Sequence, residues 1–141
     1  MTPNKQYQNL NTKLGVITTP YGGKTKWEKF HKGIDIANKK GTPIPAFEGG
    51  KVIGLKTGQV NGDNGFGNSI IIKDKFGNVH RYSHLKDILV KPKEVVPKGK
   101  IIAKMGDSGS AYSPTGSDAT HLDYRINNAY KKYIDPTKYI K

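Results

Sequence analysis

The chain contains no cysteine, so it forms no disulfide bond and any metal site must use nitrogen and oxygen ligands. It also lacks the run of about eighteen apolar residues that a transmembrane helix requires. Residues 1–15 carry no apolar stretch of the kind found in a secretory signal. We therefore predict an N-terminal arm over residues 1–15, one domain over residues 16–141, and either removal of a signal or another route out of the cell.

Acidic residues and arginine are also scarce. The chain has 24 basic and 11 acidic residues, which gives a formal net charge of +13. Such a charge attracts polyanions, among them nucleic acid, anionic lipid and anionic cell-wall polymers. The only arginines are Arg81 and Arg125, whereas proteins that recognise bases and phosphates specifically rely on arginine. The composition favours a diffuse attraction to a polyanion over specific binding of nucleic acid.

The apolar pattern predicts an all-β protein. The length of 141 residues fits one domain, and 17 glycines and 8 prolines indicate many turns. The stretch NSIIIKDKFGNVHRYSHL contains two β-rich runs around a turn at residues 74–78, which is typical of a hairpin. Residues 97–106 and 121–126 each favour one more strand, and residues 86–89 form the only helix-like window. We expect an antiparallel sheet with long glycine-rich loops.

Three of the four histidines lie where a metal site could use them. His121 and Asp123 are two residues apart, so a strand would place both on one face and turn Leu122 towards the core. The same period would place His80, Tyr82 and His84 on a common face. A polar face of a half-exposed strand is the ordinary alternative for each of these groups.

His31 and Asp35 are four residues apart, and their spacing requires a different argument. An extended strand would separate them by about 13 Å, too far for both to bind one ion. A helix is disfavoured by Gly33, so a bend at residues 32–34 is the remaining way to bring them together. The alternative is a surface strand with one histidine and one salt-bridging acid.

These clusters, taken in order, resemble the lysostaphin/LytM family of zinc endopeptidases, peptidase family M23. The segment HKGIDIANKKGTPIPAFEGGKVIGL is similar to the family's first metal motif and the glycine-rich turn that follows it. GFGNSIIIKD resembles the strand before the catalytic histidine, and GKIIAKMGDSG the segment leading to the last motif. The resemblance covers about residues 30–136. It implies a compact antiparallel β-sheet domain with an active-site groove walled by loops.

The resemblance also implies roles for five residues. His31 and Asp35 match the first two zinc ligands, and His84 matches a catalytic histidine that orients water or stabilises the transition state. His121 matches the general base. Asp123 occupies the position of the third ligand, where the family usually has the second histidine of a His-x-His motif. One histidine and two aspartates around Zn²⁺ sum to zero charge, so we expect weaker acidification of bound water and less preference for zinc over ions such as Mn²⁺.

The function implied by the resemblance is metal-dependent cleavage of peptide bonds in bacterial peptidoglycan, in lysis or remodelling of the cell wall. The basic surface suits anionic cell-wall polymers, and the loops at residues 61–68 and 109–120 are candidates for substrate specificity. Without a signal, we expect a phage lysin, a virion tail component that contacts other virion proteins, or a fragment of a longer exported protein. Two alternatives stay open: a catalytically impaired domain that binds the wall or serves assembly, and a basic nucleic-acid-binding domain.

Overall fold

The structure is a computed structural model that describes residues 12–25, 28–58, 65–109, 111 and 119–140. Most of the predicted arm and parts of the two predicted specificity loops therefore lie outside the described residues. The strands are β1 (Val16–Thr19), β2 (Gly33–Ala37), β3 (Pro43–Pro45), β4 (Gly50–Lys56), β5 (Ser69–Lys73), β6 (Val79–Ser83), β7 (Leu85–Ile88), β8 (Val95–Val96), β9 (Ile101–Met105), β10 (His121–Asn127) and β11 (Tyr133–Ile134). A short 3-10 helix covers Thr137–Tyr139. No helix in the described part is long and apolar enough to cross a membrane.

The strands form two antiparallel sheets. The larger sheet has the order β1-β2-β10-β6-β5-β4-β8, with β11 paired to β10, and the smaller sheet has the order β3-β9-β7. The prediction of an all-β antiparallel domain is confirmed. The predicted hairpin is also confirmed, because β5 and β6 pair on either side of a turn closed by the hydrogen bond from the Asp74 N–H to the Asn78 carbonyl.

Residues 86–89, the one helix-like window of the sequence, do not form a helix. Leu85–Ile88 is strand β7, which pairs with β9 at the edge of the smaller sheet. Leu85 is fully buried in the core, whereas Lys86 is exposed. A segment this short gains little from a helix, so hydrogen bonds to a neighbouring strand determine its conformation.

The hydrophobic core joins the two sheets and leaves the other face of the larger sheet for polar groups. Leu122, Tyr124 and Ile126 of β10 are fully buried in this core. Asp123 and Arg125, which alternate with them, lie on the opposite face. We call that opposite face of the larger sheet the site face.

A buried polar chain ties the β5–β6 turn to β10. One carboxylate oxygen of Asp74 accepts the backbone N–H groups of Phe76 and Asn78, at 2.9 and 3.0 Å. Its other oxygen accepts Nε2–H of His80 at 2.9 Å, which leaves Nδ1 of His80 to accept the hydroxyl of Tyr124 at 2.7 Å. These hydrogen bonds therefore fix the position of β10, the strand that carries His121 and Asp123.

We expect Asp74→Ala to lower the free energy of unfolding by about 2–4 kcal/mol, because three donors inside the protein lose their acceptor. Asp87→Ala, which removes only a surface ion pair with Lys86, should cost less than about 0.5 kcal/mol. Urea denaturation of both variants at neutral pH measures the difference.

The stabilisation by Asp74 should also depend on pH. Burial alone would raise the pKa of Asp74, but the hydrogen bonds from His80 and the turn lower it below its ordinary value. A carboxyl with a lowered folded pKa stabilises the protein above its unfolded pKa of about 4 and loses that effect as pH falls through the folded pKa. The stability gap between the wild type and Asp74→Asn should therefore shrink below about pH 4; a gap that stays constant down to pH 2 contradicts this assignment.

Candidate metal centre and its surroundings

Three predicted metal ligands meet on the site face. Asp35 on β2 lies directly opposite Asp123 on β10, and His31 precedes β2. The chain bends at Lys32, within the predicted range, and this bend places Nε2 of His31 at 3.0 Å from Oδ1 of Asp35. One ligand atom from each of the three side chains lies within 4.8 Å of the other two. The structure therefore brings together the three residues that the resemblance nominated.

Gly33 makes room for this arrangement. It lies opposite Arg125 in the register of β2 and β10. A Cβ atom at position 33 would lie 2.5 Å from Cγ of Arg125 and 2.9 Å from a carboxylate oxygen of Asp123. Any larger residue at this position would displace the Arg125 side chain from Asp123.

The two predicted catalytic histidines also lie beside this group, but His84 arrives there in an unexpected way. The prediction that His84 shares a face with His80 and Tyr82 is wrong, because those two side chains are fully buried in the core. His84 has a φ of 63°, a left-handed conformation that breaks the alternation after β6. Its ring consequently turns to the site face, where its centroid is 4.7 Å from that of His121.

Hydrogen bonds to carbonyl groups fix the tautomers of both histidines. Nδ1 of His84 donates to the carbonyl of Ser108 at 2.7 Å, and Nδ1 of His121 donates to the carbonyl of Ala119 at 2.7 Å. Each neutral ring therefore keeps a lone pair on Nε2. Burial, together with the neighbouring His121, lowers the pKa of His84, so His84 is neutral near pH 7.

Ser108, which the sequence analysis missed, fixes the loop that orients His84. Its hydroxyl donates to the carbonyl of Leu85 at 2.7 Å and accepts the N–H of Asn68 at 3.1 Å. Gly67 and Gly109 have left-handed φ values of 67° and 75°, and a Cβ on Gly67 would lie 2.4 Å from the Ser108 carbonyl carbon. These glycines allow the backbone at Gly67 to contact the backbone at Ser108 and Gly109. In the sequence, the two glycines were the only indication of this contact.

Arg125 is a second residue that the sequence analysis did not assign to the site. Its Nε and one terminal nitrogen donate to the two carboxylate oxygens of Asp123, both at 2.9 Å. The guanidinium also bonds both oxygens of Glu28, at 2.6 and 3.2 Å. Glu28 in turn lies 3.2 Å from Nδ1 of His31. Arg125 lies two residues after Asp123, and residues two apart in a strand share a face. This spacing could have indicated that Arg125 lies beside the site.

These charges alter the protonation of the group. Burial alone would lower the pKa of His31, but the hydrogen bond that its Nε2–H donates to Asp35, together with the charges of Asp35 and Asp123, raises it to about 9. Burial alone would raise the pKa of Asp35, but the bond from His31 and the other imidazoles lower it. In the absence of metal, His31 is therefore a cation that partly neutralises the carboxylates at neutral pH.

The donor set fits a divalent cation. Glu28, Asp35 and Asp123 contribute three negative charges and Arg125 contributes one positive charge, so two negative charges remain when the histidines are neutral. A divalent ion would neutralise this excess. Although Arg125 engages both oxygens of Asp123, each carboxylate oxygen has a second lone pair for a metal. One nitrogen and two oxygen ligands suit zinc and also allow harder ions.

The chain is similar in sequence to bacterial envelope proteins. The family model for peptidase family M23 matches residues 29–136. The murein hydrolase activator NlpD of Salmonella typhimurium is 36% identical over an alignment 144 positions long, which covers 98% of this chain and 35% of that protein. The lipoprotein NlpD/LppB homolog of Pseudomonas aeruginosa is 34% identical over 110 residues, which cover 78% of this chain and 33% of that protein. The chain thus spans about a third of the length of these relatives.

Solved structures with the same fold include a mutant catalytic domain of the prophage-encoded M23 protein EnpA from Enterococcus faecalis. It has a TM-score of 0.71 and 25% identity, with 94% of this chain and 96% of that chain covered. The catalytic domain of the antimicrobial peptidase lysostaphin from Staphylococcus simulans has a TM-score of 0.66 and 27% identity, with 92% of each chain covered. A zinc-containing peptidase from Vibrio cholerae has a TM-score of 0.68 and 25% identity, with 99% of this chain and 38% of that chain covered. With a family model that matches most of its length, the chain belongs to peptidase family M23.

Proposed function

We propose that this protein is a metal-dependent endopeptidase that cleaves peptide bonds in bacterial peptidoglycan. The observation that carries the proposal is the convergence of His31, Asp35 and Asp123 beside two imidazoles, His84 and His121, whose Nδ1–H groups are held by backbone carbonyls. Relatives described as a zinc-containing peptidase, an antimicrobial peptidase and murein hydrolase activators support both the chemistry and the substrate.

In this proposal, His31, Asp35 and Asp123 hold the ion, and zinc is the first candidate. When bound, the ion supplies Lewis-acid polarisation of the scissile carbonyl and lowers the pKa of water. His121 is the general base, because its Nδ1–H is held by a carbonyl and its Nε2 lies 3.7 Å from Oδ1 of the proposed ligand Asp35, where it can receive the proton of the attacking water. His84 is neutral in the resting state, so its Nε2 accepts a hydrogen bond and orients that water.

The place of action we propose is the bacterial cell wall, with the excess of lysines attracting its anionic polymers. One structural relative is described as prophage-encoded, which supports a phage lysin or a virion tail protein as one origin. The envelope lipoproteins among the relatives support the other origin, a piece of a longer exported protein.

A second candidate function is a wall-binding or hydrolase-activating module without its own catalysis. Arg125 engages both oxygens of Asp123, so the carboxylates already have a cation when metal is absent. Relatives that cover most of this chain are described as murein hydrolase activators. The two functions differ in whether the isolated protein releases peptides from peptidoglycan.

We expect zinc-loaded protein to release amino groups from purified peptidoglycan. His121→Ala should reduce the rate about a hundred- to ten-thousandfold, because loss of a general base has effects of this size. Lys104→Gln is the matched control, since Lys104 is exposed on β9 in the smaller sheet. Full activity in His121→Ala would rule out its role as base, whereas an inactive wild type that stimulates a separate hydrolase would support the second candidate.

Metal content tests the proposed ligands directly. Protein purified without chelator should carry about one zinc per chain by elemental analysis, and His31→Ala should lose it. His84→Ala should retain the metal, because His84 is proposed to act on water and not to ligate. Retention of zinc in His31→Ala, or absence of zinc from wild type after incubation with it, contradicts the proposed centre.

Arg125 should weaken metal binding through its charge. We expect Arg125→Gln to bind zinc about tenfold more tightly than wild type, because removal of a nearby cation favours a second one. Arg125→Lys keeps the charge but not the two-pronged contact, and should stay near the wild-type affinity. Competition with a chromophoric chelator measures the affinities. Weaker zinc binding in both variants would show instead that the guanidinium mainly positions Asp123 for the ion.

A further inference from the structure

A pocket of about 310 Å³ opens on the site face of the larger sheet. It lies on β4, β5 and β6, next to the strands that carry the candidate metal ligands. Its lining residues are Gly54, Leu55, Lys56, Phe66, Ser69, Ile71 and Arg81. The proposed chemistry uses none of these residues, so the pocket calls for a separate explanation.

The register of the strands gives the distance from the metal centre to the pocket. Asp123 lies opposite Ser83, whose hydroxyl is 3.4 Å from that of Ser69, and Ser69 lies opposite Lys56. Three steps between neighbouring strands amount to about 14 Å. Since an extended peptide advances about 3.3–3.6 Å per residue, the far side of the pocket at Lys56 lies about four residues from Asp123.

Arg81 and Lys56 give the pocket a positive charge. Among the residues that the structure describes, no carboxylate forms an ion pair with either of them. Arg125, the cross-strand neighbour of Arg81, is instead fully engaged by Glu28 and Asp123. Charge complementarity therefore selects an anionic group as the occupant of this pocket.

Phe66 holds the Arg81 side chain in place. Its ring lies 4.9 Å from the guanidinium carbon of Arg81 and 4.6 Å from that of Arg125, so both arginines of the chain contact one aromatic ring. Arg81 is half-buried, which leaves its guanidinium less flexible than an exposed lysine. A planar guanidinium held in this way is prepared for two-pronged recognition of a carboxylate.

Apart from Ser69, the rest of the pocket is apolar and small. Ile71 supplies an aliphatic wall. Leu55 lies opposite the buried Ile70 and packs against the core. A Cβ atom on Gly54 would lie 3.3 Å from Cδ1 of Ile71, so glycine keeps the pocket open at this point. This lining suits a carboxylate on a short aliphatic segment better than a hydrated phosphate of a wall polymer.

We propose that this pocket is a subsite for a free carboxylate carried by the peptide substrate, up to four residues from the bond that reacts at the metal centre. Arg81 forms the two-pronged contact, Lys56 adds charge at the rim, and Phe66 positions Arg81. The identity of the peptide as substrate rests on the proposed function, but binding of its carboxylate does not require hydrolysis.

The test compares acetyl-tetraalanine, which ends in a free carboxylate, with its carboxamide. Both are titrated by NMR into metal-free protein in the presence of chelator, so that the carboxylate has no ion to bind. We expect the carboxylate peptide to bind about three- to tenfold more tightly, which is the net gain of one ordinary hydrogen bond in a site that stays partly open to water. Arg81→Gln should abolish this preference, and Lys104→Gln should leave it intact. The shifted amide signals should include those of Ile71 and Ser69.

Equal affinity for the two peptides, or an unchanged preference in Arg81→Gln, would overturn the proposal. Competition by inorganic phosphate that is stronger than competition by acetate would overturn it in favour of a wall-polymer phosphate. Lys56→Gln provides a second test if Arg81→Gln fails to fold, since Lys56 is exposed, and it should reduce the preference about two- to threefold. A protein that prefers the carboxylate but never cleaves peptidoglycan would contradict the proposed function alone.

Discussion

The guanidinium of Arg125 holds together carboxylates from distant parts of the chain, and it joins β10 to the segment before β2 beside the candidate site. Its partners are Asp123, two residues before it, and Glu28, 97 residues before it. Glu28 also contacts His31, so one network positions two of the three candidate ligands. Breaking one partner of such a buried network leaves an uncompensated charge, which is why the network constrains the segment before β2 so strongly.

The same network bears on both candidate functions. Arg125 and a protonated His31 balance two of the three carboxylate charges of the site when no metal is present. A divalent ion would take the place of the proton on His31, while the guanidinium stays where it is. The two proposed functions therefore differ in whether a divalent ion displaces the proton on His31.

The larger sheet organises these features along one surface. Alternation on β10 turns Leu122 and Tyr124 to the core and Asp123 and Arg125 to the site face. Neighbouring strands continue that face past Arg81 to the pocket on β4 and β5. A peptide lying across the strands would meet the metal centre and the basic pocket in succession, which links the chemistry to recognition of a charged group.

The sequence by itself determined the strands with clear local patterns and the order of the ligand motifs. The β5–β6 hairpin, and the shared face of His121 and Asp123 opposite Leu122, follow from a period of two residues. Tertiary structure alone decided the rest. The left-handed backbone of His84 turns its side chain to the site face, contrary to the two-residue alternation of β6. Pairing with β9 makes Leu85–Ile88 a strand. The contact between Arg125 and Glu28 and the pocket at Arg81 bring together residues far apart in the chain, where no local pattern indicates which side chains will meet.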